Sequence, residues 1–223
     1  MFIGHFAAAM GTKPAAPRTS LGWLFAASQF PDLLWPVFLL TGIERARIAP
    51  GDTAFTPLAF DHYPWSHSLL MVVIWGVLLG ALYRLRGGDP RASLVIGALV
   101  VSHWVLDWVT HRSDLPLFPG GGPKVGLGLW NYPTATLVIE ALLFAAGVWI
   151  YARSTPARDR TGRWSFVALV VFLLFVHVTN AFSPPPPNMT AVAIAGLAIW
   201  LLVWWAAWAD RHRGAATPIL RGF

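Results

Sequence analysis

The chain has no cysteine among its 223 residues. Disulfide staples, thiolate ligands and a cysteine nucleophile are therefore excluded, and any metal must be held by imidazole and carboxylate. Charge is also scarce: Asp, Glu, Lys and Arg make up 12% of the residues, where a soluble domain carries roughly a quarter. With 56% hydrophobic residues and a mean hydropathy of +0.58, the composition is that of an integral membrane protein. No internal repeat is visible and no linker is long enough to separate domains. Residues 1–223 are expected to form one all-α, polytopic bundle. The first ten residues lack a basic n-region and a long apolar run before a processing site, so no cleavable leader is expected. The net charge of +6 does not imply a nucleic-acid partner, because the basic residues are scattered over short loops.

Six apolar stretches reach the spanning length of about 20 residues: 21–43, 66–83, 92–110, 134–152, 164–182 and 189–209. Trp23, Trp65, Trp108, Trp130, Trp164 and Trp208 lie near their ends, as an aromatic belt requires. Pro31 and Pro36 interrupt the first stretch around Asp32, where a kink is expected. The metal-site core is expected in 1–152, with two additional spans in 153–223.

Charge orients the bundle. Lys13, Arg18, Arg84, Arg86, Arg91, Arg153, Arg158, Arg160, Arg163, Arg211, Arg213 and Arg221 fall on one side, 12 of the 16 basic residues. Only Arg45, Arg47, Arg112 and Lys124 fall on the other. The positive-inside rule then predicts both termini in the cytoplasm.

Five ionisable side chains interrupt this apolar pattern: Asp32, His67, His103, Asp107 and Glu140. A charge near the middle of a bilayer costs several kcal/mol, so it persists only if paired, hydrated or bound. With the topology above, Asp32 lies about 15 Å, and Glu140 and His103 about 12 Å, below the outer membrane boundary. Convergence on one level is what a site requires. His5 joins that level if residues 2–10 form a short re-entrant helix paired with the first span.

Each motif admits a plainer role. His103 and Asp107 stand at i,i+4, on one helical face, and either chelate an ion or form an intrahelical ion pair. Ser102 beside them can support a ligand. His67 is a ligand candidate at the start of the second stretch, with Ser66 as its helix cap, whereas His62 is either an interfacial residue or a ligand. Asp32 is a ligand, a base, or a cap on backbone freed by proline. Glu140 is a base, a further ligand or a helix–helix partner, and His177 is a packed histidine. The glycine-rich loop 115–130 is a turn or a lid whose Lys124 can meet an anionic group.

Gly-His5-Phe, Pro-Asp32, His62-xxxx-His67-Ser and Ser-His103-Trp-Val-Leu-Asp107 together resemble the YdjM-like family of bacterial inner-membrane metal-dependent hydrolases. The resemblance covers roughly 1–112. Tyr63-Pro64 stand where that family has Arg-Gly, and Ser66 where it has Thr. The ligand order is also similar to that of zinc-dependent phospholipase C. That similarity implies one zinc on Asp32, His67, His103 and Asp107, with His5 contributing to a second. The expected function is a membrane-embedded hydrolase using zinc, or manganese, on a phosphoester of a lipid or lipid-linked substrate. In it Asp32 or Glu140 serves the attacking water, and Lys124 and His62 serve the substrate. The alternative is a non-enzymatic ion or proton relay, or a structural metal site. Oligomeric state is not legible.

Overall fold

The structure is a computed structural model that describes residues 1–214; Arg221 lies outside the described residues. Helix α1 (Phe2–Gly11) is Ala-rich and apolar, and it is buried on nearly every side, with Ile3, Phe6, Ala9 and Met10 fully enclosed. It lies against α7 (Pro133–Ser154), where Gly147 lets the two backbones touch. A Cβ added at Gly147 would come within 2.6 Å of the Ala7 carbonyl oxygen.

After a turn at Lys13–Ala15, Ser20 caps α2 (Leu21–Ser28) by accepting from the Trp23 amide. Helix α3 (Phe30–Leu40) follows after a single residue and is bent 57° from α2. The break falls at Gln29, three residues before the expected kink at Asp32. Pro31 has no N–H, and its ring crowds the carbonyl four residues back, so the damage appears N-terminal to the proline. Pro31 itself sits comfortably in the first turn of α3.

Strands β1 (Arg45–Ile48) and β2 (Leu58–His62) form an antiparallel hairpin, and β3 (Leu115–Pro116) pairs with β4 (Lys124–Val125). These short hairpins depart from a purely helical expectation. The second apolar stretch is also divided. A one-turn helix α4 (Pro64–His67) precedes α5 (Leu69–Leu85), and Ser68, not Ser66, caps α5 through the Met71 amide. Asp89 caps α6 (Pro90–Thr110), Asp159 caps α8 (Arg160–Phe182), and Asn188 caps α9 (Met189–Leu197), which continues into α10 (Ile199–Arg211).

Among the described residues, four helices are long and apolar enough to cross a membrane: α6, α7, α8 and the combined run Met189–Arg211. The bent pair α2–α3 makes five, and α5, at 17 residues, is shorter. Their outward faces carry exposed Leu142, Phe175, Leu201 and Trp204, as a lipid-facing surface does.

The basic connections gather at one end. Lys13 donates to Asp210, Thr19 and Tyr83 share a hydrogen bond, and the Arg158 amide donates to the His212 carbonyl. The His and Asp candidates lie at the opposite end of α1 and α6.

Candidate metal centre

The i,i+4 spacing in α6 brings His103 and Asp107 together, with Nε2 3.1 Å from Oδ2, and both are buried. The helix break fixes the state of His103. Its Nδ1 lies 2.8 Å from the Ser28 carbonyl oxygen at the end of α2. A carbonyl only accepts, so Nδ1 carries a proton, and in the neutral ring Nε2 presents its lone pair. That Nε2 has no hydrogen-bond partner, although Asp107 Oδ2 is 3.1 Å and Asp32 Oδ1 3.8 Å away.

His67 is set by a chain of donors. Glu44, buried just after α3, accepts from the amides of Trp65 and Ser66, each at 2.8 Å. The Ser66 hydroxyl donates to Glu44 Oε2 at 2.6 Å and so accepts from His67 Nδ1, also at 2.6 Å. His67 Nε2 faces Asp32 Oδ1 at 3.4 Å and Asp107 Oδ2 at 3.8 Å. A carboxylate orienting an imidazole from behind is the usual support of a metal-binding histidine. Glu44 escaped notice in the sequence because no spacing connects it to His67; only the folded loop does.

His5 reaches the centre from α1. Its ring stacks on that of His103 at 3.7 Å, and its Nε2 is 3.1 Å from Asp107 Oδ1. The Met1 amino group also donates to Oδ1, at 2.6 Å. Glu140 does not join the cluster: its Oε2 accepts from the Gly4 amide at 3.3 Å, anchoring the first turn of α1. Of its three open roles, the helix–helix partner is the one its contacts match. Asp32 makes no capping bond at the start of α3 and faces the two histidines instead.

Two triads result, His5–His103–Asp107 and Asp32–His67–His103, each with its ligand atoms within 4.8 Å of one another. Tetrahedral zinc with bonds of about 2.0–2.2 Å sets ligand atoms roughly 3.3–3.6 Å apart, and neighbouring ligand atoms here stand 3.1–3.8 Å apart. His103 is shared, but its one free nitrogen can join only one ion. Asp107 instead turns a separate oxygen to each triad. The donor set of imidazole and carboxylate fits a divalent cation.

The other candidates lie apart from this cluster. His62 and Lys124 line a common cleft of about 390 Å³ with Tyr63 and Phe118. Lys124 is exposed there. Ser102 bonds back to the Leu99 carbonyl of its own helix and supports no ligand. Above the centre, Tyr63 donates to Asp114, which also accepts from His111 and Arg112. Burial opposes ionisation of Asp114, but the His111 and Arg112 donors outweigh it and hold its carboxyl below the ordinary value. Burial, followed by the Asp114 charge, pushes the Tyr63 hydroxyl well up.

The chain belongs to the YdjM inner membrane protein family, whose model matches residues 1–183. The match thus continues beyond 112, through α7 and α8. Comparison with curated proteins and with solved structures gave no match. Family and apolar helices together make this a multi-pass membrane protein.

Proposed function

We propose that the protein is a metal-dependent hydrolase of the bacterial inner membrane that cleaves a phosphoester in a lipid or lipid-linked substrate. In this reading α2–α3 and α5 also cross, giving six spans, α1 is re-entrant, and both termini are cytoplasmic. The observation that carries it is the orientation of His103 and His67: both Nε2 atoms are turned toward the same two carboxylates, Asp32 and Asp107. With both rings neutral, acceptors face acceptors in a buried site, an arrangement that a cation between them relieves.

Bound by Asp32, His67, His103 and Asp107, with His5 beside them, zinc or manganese supplies Lewis-acid activation of water and of a phosphoryl oxygen. The residues do the rest. Ser28 and Glu44 hold the imidazoles in one tautomer, and stacking of His5 on His103 restricts both rings. Asp32 has the most accessible side chain of the set, at 30% exposure against 6% or less for the others, and takes the proton of the attacking water. Glu140 keeps α1, and with it His5, at the required height. Lys124 and His62 meet the anionic headgroup in their cleft.

The test is elemental analysis of purified protein, coupled to release of phosphate or phosphorylated headgroup from defined phospholipids and lipid-linked phosphates. Stoichiometric metal and metal-dependent release, both lost in His103→Ala and Asp107→Ala, are expected. Metal bound without turnover on any such substrate would leave only a structural ion, and absence of metal would favour the relay.

A further inference from the structure

A second buried imidazole lies outside the metal triads. His177 on α8 is 3% exposed, and its Nε2 has no hydrogen-bond partner. It lines a cavity of about 440 Å³ between the end of α8, the start of α9 and the loop leading into β2. Phe2, Phe55 and Trp130 supply aromatic wall, while Thr56, Asn180 and His177 supply polar groups. Phe2 stacks parallel to the His177 ring at 6.4 Å. None of the lining side chains is an acid, a lysine or an arginine.

That combination is selective. The apolar walls suit hydrocarbon, and the neutral hydrogen-bonding groups suit ester carbonyls or hydroxyls. A phosphate would lie there without a countercharge. A buried nitrogen left unpaired loses the full worth of a hydrogen bond, so a ligand that reaches it gains affinity. The cavity also sits at the same end of the bundle as the metal triads. Phe2 lines it, and the adjacent Met1 amino group touches Asp107.

We propose that this groove binds the uncharged part of a glycerolipid, its ester region and the start of its acyl chains, with His177 bonding an ester or hydroxyl oxygen. The identification of that lipid as the substrate's leaving portion rests on the hydrolytic reading of the neighbouring centre; the binding itself does not.

The experiment uses the purified full chain in detergent, with a diacylglycerol bearing a diazirine in its acyl chain. Native mass spectrometry counts bound lipid, and photolysis maps its position. One lipid per chain is expected, cross-linked to residues lining the groove such as Phe55 or Val192. His177→Phe keeps the ring shape, removes the hydrogen bond and should lower retention about tenfold. Ala191→Trp fills the groove and should abolish cross-linking there. Metal content should be unchanged in both variants. Cross-links confined to other surfaces, or retention unaffected by His177→Phe, would overturn the assignment, a result readable even if the tryptophan variant does not fold. Displacement of the diacylglycerol by glycerol phosphate would overturn the choice of the uncharged part. Retained lipid in a protein that hydrolyses nothing would leave the groove standing and remove only the catalytic reading.

Discussion

Asp210, half-buried, and Asp107, buried, are carboxylates that join separate elements at opposite ends of the bundle. Asp210 accepts from Lys13 Nζ at 2.7 Å, the Tyr151 hydroxyl at 2.5 Å and the Leu21 amide at 3.1 Å. Every partner is a donor, and lysine cancels its charge. Asp107 has the Met1 ammonium on Oδ1, but its Oδ2 and the nearby Asp32 Oδ1 face the Nε2 atoms of His67 and His103. The first arrangement is complete as it stands. The second gathers imidazole and carboxylate atoms that could hold a cation, which distinguishes it from a structural lock.

Breaking each end separately tests that contrast. The largest effect is expected from His103→Ala, which removes the ligand common to both triads: metal should fall from stoichiometric to background while the fold persists in circular dichroism. Asp210→Ala should do the reverse. It strands Lys13 in a buried position and should cost about 3–5 kcal/mol, seen as a lower thermal midpoint in detergent with metal content intact. A smaller loss is expected from Ser66→Ala, which cuts the link from Glu44 to His67; metal affinity should weaken about 10–100-fold, measured by competition with a chelator.

The smallest effect concerns the loop above the centre. The Asp114 carboxyl titrates below its ordinary value in the folded protein, so it adds stability at pH above that value. The contribution disappears as pH falls through the depressed folded pKa. The wild-type midpoint should therefore drop more steeply below about pH 4 than that of Asp114→Asn. Parallel pH profiles would remove Asp114 from the account.

The residues that were legible in sequence share one property: their cost is local. A charge within an apolar run is conspicuous wherever its partner lies, so Asp32, His103 and Asp107 stand out unaided, and the i,i+4 interval of the last two fixes a shared face. Glu140 was equally conspicuous, but its partner is a backbone amide on α1, which no side-chain pattern announces. Glu44 lies among Arg45 and Arg47 at a polar boundary, where an acid is unremarkable, and its role emerges only when the hairpin β1–β2 returns α4 to it. The division of the second stretch into α4 and α5 was hidden because α4 is a single turn and only one residue, Ser68, separates the two. Pro31 announced a break correctly but acts on the turn before it, so the freed Ser28 carbonyl that orients His103 lay outside the expected kink.

In the proposed centre a cation would join imidazole and carboxylate from α1, α3, α4 and α6. X-ray absorption at the edge of the metal found in purified protein tests it most directly. The account predicts nitrogen and oxygen neighbours at about 2.0–2.2 Å for zinc, with multiple-scattering features of two or three imidazoles that diminish in His67→Ala and His103→Ala. An imidazole signal unchanged in both variants, or no metal above trace level, would contradict it.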